Sequence, residues 1–305
     1  MTTLDLQATY DAVHVGLVGV VVPCDVVRVV GAQARSYLEG QCSQDLSALA
    51  PGQSTQTLVL SPEGRIDAYG RVVLVSEDEL LLVVGSSEGA PLKERLLRFK
   101  IRVKADIEVL AWRRAMVRGP RAHLHGVIEP GGVVLPVMTA SFLGFDVVSE
   151  SAQLPKGVPA GAIAAFEVCR IEAGVPAMGR ELTAKTIPEE AGIVGDTVSF
   201  TKGCFPGQEL LARIDARGNN VPRHLRGIVF EKGFNDVAVK AHDTVVIGDK
   251  EVGAITSIAF SPRVESRVAL GYIHRSVVVP KGAIVRSEGA GELPVRIEAL
   301  PLISN

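Results

Sequence analysis

Short β-branched apolar runs recur throughout the chain between polar and glycine-containing turns, the pattern of strands. Residues 20–30 (VVVPCDVVRVV) form the first β-branched run and predict extended structure. Residues 56–60 and 65–75 predict two more strands, joined by the turn SPEG at 61–64. Another strand, 80–84, follows an acidic turn at 77–79, so an antiparallel meander is expected. Helical spacing interrupts this pattern at 32–39, stopped by Gly40, and at 90–99, where Leu92, Leu96 and Phe99 share a face beside Leu97. Ile101, Val103, Ala105, Ile107 and Val109 then alternate as a strand. Strands, a helix and a strand without regular βαβ repetition predict an α+β fold.

The stretch 111–155 is rich in glycine and poor in helical signals, with strands expected at 133–137 and 145–148. A helix is expected at 160–173, capped by Gly174, and another at 206–216, with Pro206 in its first turn and Gly218 beyond its end. After Arg223 the pattern changes. Short strands recur at 225–230, 244–247, 252–259, 268–273, 283–286 and 295–299, which predicts a small C-terminal β-barrel.

Composition narrows the class. The length of 305 residues points to about two domains, and 47% apolar with 22% charged residues excludes disorder over most of the chain. Lys plus Arg is 32 and Asp plus Glu is 34, a net charge of −2 that gives no global attraction to nucleic acid or an anionic membrane. No apolar run approaches the ~18 residues of a membrane span. The first residues carry two aspartates and no basic residue, unlike a leader peptide, so a cytoplasmic protein is expected. Cys24, Cys42, Cys169 and Cys204 form no CxxC pair, so neither a zinc site nor a disulfide framework is expected.

The common nucleotide, metalloprotease and hydrolase fingerprints are absent. His123 and His125 would share a strand face, but a solvated loop explains them more simply. The densest unusual text is KGCFPGQELLARIDAR, 202–217. Its Cys204 stands just ahead of a predicted helix, where unpaired amides and the helix dipole favour a thiolate, and Lys202 adds a positive neighbour. A packed turn cysteine is the plainer alternative. A second dense stretch is RIEAGVPAMGRE, 170–181, followed by IPEEAG. Glu172 there could accept hydrogen bonds from the NH edge of a heterocycle, or simply be a solvated helix end. Asp45 and Asp67 are further polar candidates, each also readable as an ordinary cap or turn residue.

Together these stretches resemble the YgfZ branch of the glycine-cleavage T-protein (aminomethyltransferase) superfamily. The K-G-C-[FY]-x-G-Q-E signature stands complete from Lys202 to Glu209, with Arg213 after it. The R-x-E-x-G-x-P-x-x-G-x-E run spans 170–181, G-x-x-A-x-x-[FL]-L-x-G-Q fits 31–41, and GRI fits 64–66. The resemblance implies three subdomains ringed around a central folate channel. Residues 1–222 would form the folate-binding region of two intertwined α+β subdomains, and 223–305 the barrel. It implies tetrahydrofolate or a derivative as cofactor, with Glu172 on the pterin. It also implies iron–sulfur proteins or cluster-assembly factors as partners, in cluster synthesis or repair through Cys204. Basic residues should meet the folate carboxylates, and Lys202, Arg213, Arg217, Arg223 and Arg226 are the nearest in sequence.

True aminomethyltransferases carry a paired Asp-Asp where this chain has Asp67-Ala68. Asp67 keeps one carboxylate for activating a folate nitrogen, so folate-dependent one-carbon transfer or demethylation is the alternative to the iron–sulfur role. A non-catalytic module that kept only the fold is the third reading.

Overall fold

The computed structural model describes residues 3–124, 131–138, 142–234 and 238–303. Seven strands form one sheet: β1 (Val18–Val30), β2 (Ser54–Leu60), β3 (Ile66–Ser76), β4 (Glu79–Gly85), β5 (Asp106–Arg118), β6 (Val133–Val137) and β7 (Gly144–Ser149). Their order is β2-β3-β4-β1-β5-β7-β6, with antiparallel neighbours throughout. The valine-rich β1 takes the centre, paired with β5 from Val18 to Val30 and with β4 from Cys24 onward. Branched side chains suit a strand buried on both faces.

Helices α1 (Leu6–Val15), α2 (Ala34–Glu39), α3 (Gly89–Phe99) and α4 (Ile163–Ala173) cover the sheet. Val27 and Val29 meet Leu38 of α2 and Leu96 of α3 in the largest apolar cluster. Helices α1 and α4 pack together over the start of β1, where Tyr10 and Val13 meet Val18, Phe166 and Cys169. The Asp5 side chain caps α1 by accepting from the Ala8 amide at 2.8 Å. Gly174 ends α4 with φ at 72°, the left-handed cap that favours glycine. Past α4 the chain wraps back over β2 and β3 and carries two short helices, α5 (Val194–Thr197) and α6 (Gln208–Asp215).

All six C-terminal strands read from the sequence are present: β8 (Arg223–Phe230), β9 (Thr244–Ile247), β10 (Lys250–Ser261), β11 (Ser266–His274), β12 (Lys281–Ser287) and β13 (Gly291–Glu298). They close into a barrel in the order β10-β11-β8-β13-β12-β9, and β9 pairs back onto β10. Closure leaves no free sheet edge. Its interior is filled by Ile228, Phe230, Val245, Ile255, Val285 and Ile297.

The barrel docks on α4, where Ile171 packs against Leu225, Val268 and Leu270. A polar clamp secures the same joint. The fully buried Glu181 accepts hydroxyls from Thr256 and Ser257 at 2.7 and 2.6 Å, the Arg170 guanidinium at 3.1 Å and the Ala177 amide at 3.0 Å. Buried carboxylates persist where they are this fully hydrogen-bonded.

Two elements differ from the sequence reading. The strand expected at 101–109 begins only at Asp106, as β5, and it runs on to Arg118. Arginines at 113, 114 and 118 break the apolar alternation and hide the strand. Helix α1 is the second, an element absent from the sequence reading; it turns Tyr10 and Val13 inward. Among the described residues no helix is long and apolar enough to cross a membrane.

Candidate functional site

A cavity of about 570 Å³ opens between the sheet, α4 and the chain that follows α4. That volume is in the range of small-molecule sites. Tyr69 and Arg71 reach it from β3, Arg114, Met116 and Arg118 from β5, and Asp146 from β7. The side-chain period of two explains why 114, 116 and 118 share this face. Phe166, Glu167 and Arg170 reach it from α4, at the three- and four-residue spacing of one helix face. No described residue of the barrel lines it.

Arginine and carboxylate meet at its centre with incomplete satisfaction. Arg118 is 3% exposed and Asp146 6%. Arg118 Nη1 donates to the Val117 and Phe145 carbonyls, each at 3.0 Å, and lies 2.7 Å from Asp146 Oδ1. That last contact is an ion pair off the donor direction, so Oδ1 accepts no hydrogen bond. The Nε atoms of Arg114 and Arg118 are also buried and make no hydrogen bond, although Arg114 Nε lies 4.0 Å from Asp146 Oδ2. Buried polar atoms that make no hydrogen bond are costly, and the ion pairing of Asp146 with Arg118 and Arg114 offsets part of that cost. The Arg118 guanidinium also stacks 4.8 Å from the Phe142 ring. Burial pulls the Arg71 guanidinium below its ordinary pKa and pushes the Glu88 carboxyl, also on the cavity wall, above its own.

The residues singled out from the sequence lie elsewhere. Glu172 is 1% exposed and does not line the cavity. It follows Arg170 by two positions, about 200° around the helix, and so faces α1. Tyr10 Oη donates to its two oxygens at 2.9 and 3.0 Å. Glu172, expected on a pterin, is thus held by Tyr10 and is not part of the lining of this cavity.

Lys202 is buried beneath its loop. Its Nζ pairs with Glu39 Oε1 at 3.0 Å and donates to the carbonyls of Cys42 at 2.8 Å, Gln44 at 3.2 Å and Glu39. Committed in this way, it is a brace and not a ligand donor. Asp67 is held by Arg95 Nε at 2.9 Å, also outside the cavity. Arg213 and Arg217 are exposed on and after α6. Arg223 pairs with Glu190 at 3.2 Å and lies 4.2 Å from the centre of the Tyr272 ring. Arg226, on β8, is half-buried and donates to the Leu225 carbonyl. None of these four arginines lines the cavity.

Cys204 is the one exposed cysteine; Cys24, Cys42 and Cys169 are buried. The helix after it starts at Gln208, later than the expected 206, because Gly207 takes a left-handed φ of 81° as the cap. Asp45 is an ordinary turn residue that accepts from Ser47. His123 is exposed in a single 3₁₀ turn, and His125 lies outside the described residues.

The cavity residues that sequence reasoning missed are Arg71, Arg114, Arg118 and Asp146. For Arg114 and Arg118 the signal was present in the text RRAMVR, charges inside a strand-length run where a β-sheet interior would otherwise be apolar. Together these groups offer guanidinium charge, a carboxylate and aromatic faces. They suit a planar heterocycle with an NH edge and an anionic tail.

Comparison with known proteins agrees with this architecture. Residues 223–303 match the family model for the glycine cleavage T-protein C-terminal barrel domain. An uncharacterized protein of Haemophilus influenzae is 30% identical over 196 residues, which cover 64% of this chain and 67% of that protein. An aminomethyltransferase of Streptomyces avermitilis is 28% identical over 316 residues, covering 90% of this chain and 83% of its own. One from Mycolicibacterium paratuberculosis is 26% identical over 296 residues, covering 86% and 78%. The crystal structure of glycine cleavage system aminomethyltransferase T from Bartonella henselae superposes with a TM-score of 0.80 at 18% identity, over 98% of this chain and 89% of that one. The barrel, the full-length relatives and the shared fold agree: this chain belongs to the glycine cleavage T-protein (aminomethyltransferase) superfamily.

Proposed function

We propose that the protein binds a reduced folate in the central cavity and acts in folate-dependent one-carbon (aminomethyl) transfer. The observation that carries this reading is the cavity of about 570 Å³ lined by Arg71, Arg114, Arg118, Asp146 and Glu88. A pterin presents an amino and NH edge that a carboxylate accepts, and a folate tail presents carboxylates that guanidinium groups bind. Asp146 supplies the first kind of partner, and Arg71, Arg114 and Arg118 supply the second. Tyr69, Phe142 and Phe166 add apolar and aromatic wall for the ring system.

A bound reduced folate supplies the nitrogen that carries the one-carbon unit. The chain's own part is to orient that ligand, exclude water and hold a proton nearby. Glu88 is the cavity carboxyl suited to hold one, because burial raises its affinity for protons. Asp67 is neutralised by Arg95 and lies apart, so it does not serve the cavity.

Calorimetric titration with tetrahydrofolate tests the binding. We expect one site per chain, weakened at least tenfold by Arg114→Met, which is less buried than Arg118 and safer for the fold. Formation of methylene-tetrahydrofolate from an aminomethyl or N-methyl donor tests the transfer. Absence of tetrahydrofolate binding by the folded protein would refute the proposal outright; binding without turnover on any such donor would refute the transfer step.

A second reading rests on a different observation, the lone exposed thiol in KGCFPGQE. Cys204 tips a loop braced by Lys202 and does not line the cavity. Under this reading the protein is a folate-binding accessory factor of the YgfZ type for synthesis or repair of iron–sulfur clusters, and Cys204 meets the partner. A single thiol does not hold a cluster alone, since clusters take about four thiolates. Iron–sulfur enzyme activities in a strain lacking the gene decide it. Selective loss restored by wild type but not by Cys204→Ala supports the role, and full restoration by Cys204→Ala eliminates it.

A further inference from the structure

Behind α4, on the face turned away from the cavity, three side chains of different chemistry converge. Cys169 and Glu172 stand three residues apart on α4 and so share one side of the helix. His14 joins them from α1. One donor atom from each, a ring nitrogen, a sulfur and a carboxylate oxygen, lies within 4.8 Å of the other two. Cys169 and Glu172 are each 1% exposed, while His14 is half-buried and opens the cluster toward solvent.

From this cluster we infer a binding site for a single divalent metal ion of zinc type, built from His14, Cys169 and Glu172. Imidazole, thiolate and carboxylate are all zinc ligands, and three protein ligands with an open fourth position make a common zinc arrangement. Bonds of ~2.0–2.3 Å place tetrahedral ligand atoms about 3.3–3.7 Å apart. Side-chain rotations of about an ångström would draw this cluster into that shape.

The surroundings are organised as metal sites usually are. Orienting hydrogen bonds from outside the ligand set hold the ligands in place. His14 Nδ1 lies 2.8 Å from the Tyr10 carbonyl, which can only accept, so the neutral ring carries its proton on Nδ1 and keeps Nε2 as the lone pair. Tyr10 Oη braces both oxygens of Glu172. The main chain at Glu172 is held as well, its backbone carbonyl accepting from the Leu302 amide at 2.8 Å.

Charge points the same way. A thiol and a carboxylic acid each give up one proton on binding a metal. A dication replaces those two protons, which leave to solvent, and the site stays neutral: two positive charges against one thiolate and one carboxylate. The site is separate from the proposed folate cavity, so the two stand or fall independently.

Cobalt(II) titration of the full-length, chelator-treated protein tests this, carried out in Cys204→Ser so that the exposed thiol does not contribute. We expect one equivalent bound, with a thiolate-to-cobalt charge-transfer band and the intense visible bands of tetrahedral cobalt. Zinc should displace it. Cys169→Ser should abolish the charge-transfer band, and His14→Gln, at a half-exposed position, should weaken binding at least tenfold with an unchanged circular dichroism spectrum. No charge-transfer band in Cys204→Ser, or the same band after Cys169→Ser, would overturn the assignment. Tetrahydrofolate titration of the same samples keeps failure of this site distinct from failure of the folate reading.

Discussion

Glu181 is the residue on which the docking of the barrel should depend most. Four donors converge on its fully buried carboxylate: two barrel hydroxyls, the Arg170 guanidinium and the Ala177 amide. In Glu181→Ala the losses are unequal. Arg170 keeps Glu167, at 2.7 and 2.9 Å, and Thr256 keeps the Leu270 carbonyl at 3.1 Å. Ser257 still accepts from Arg170 at 2.8 Å, but its own proton loses the carboxylate. The Ala177 amide is left with no partner. Breaking a buried ion pair of this kind costs about 3–5 kcal/mol. Glu181→Gln is milder. Its amide oxygen can face Arg170 and Ala177 while its nitrogen faces the hydroxyls, so mainly the charge is lost, at about 1–2 kcal/mol. Urea unfolding followed by Trp112 fluorescence and by far-ultraviolet circular dichroism measures both variants. Trp112 lies on β5, whereas circular dichroism reports the barrel too. The expected order is wild type, then Gln, then Ala, with the two probes separating in the Ala variant as the barrel loosens first. If both variants stay within about 0.5 kcal/mol of wild type, the clamp is not what holds the joint.

Glu88 gives a pH test. Its folded-state pKa is raised by burial, so the folded protein binds a proton where the unfolded chain has released it. The cost of burying its charge is absent below the unfolded Glu pKa and grows as pH rises through the raised folded value. Wild type should therefore lose stability relative to Glu88→Gln over that interval, and parallel melting-temperature profiles would contradict this. Gly207 should not tolerate a side chain. Its φ is 81°, and a Cβ would lie 2.7 Å from the Ser61 carbonyl oxygen, so Gly207→Ala should cost about 1–3 kcal/mol in denaturant titration. Thiol labelling should find one site in the native protein and four after denaturation, read by mass spectrometry. Cys204 is the exposed site, and the Cys42 thiol is fully buried with its pKa pushed up to about 12. Native labelling that persists in Cys204→Ser would show that a buried thiol opens.

The fold was largely legible in the sequence because strand signals depend on local alternation and turn chemistry. The six barrel strands and the meander of β2 to β4 follow from valine-rich runs set between glycine and acidic turns. Strand β5 was obscured for the same reason that it matters. It places Arg114 and Arg118 on the cavity wall, and charges in a strand destroy the pattern by which strands are recognised. The cavity itself was not legible, since Arg118 and Asp146 are 28 positions apart and meet only through the pairing of β5 with β7, Met116 opposite Asp146.

The signature KGCFPGQE shows how one motif divides its labour. Lys202 spends all its hydrogen bonds on Glu39 and the carbonyls of Cys42 and Gln44, fixing the loop to the end of α2. Gly207 lets the same loop press onto the turn at 61–64, where its would-be Cβ meets Gly64 as well as Ser61. Phe205 goes into the apolar cluster with Leu58, Ile66 and Leu211. Three of the motif's residues thus build the support, while the Cys204 thiol is presented to solvent. A positive charge beside the thiol was the natural reading of K-G-C, but the distance that matters is to Glu39, 163 residues away in sequence. The pull of that carboxylate and the surrounding carbonyls decides where the ammonium sits. What the loop offers a partner is therefore position: one thiol on a rigid, buried-lysine anchor, apart from the arginine-lined cavity. If the two readings of function are both partly right, they act at separate places, and Cys204→Ala should leave tetrahydrofolate affinity unchanged.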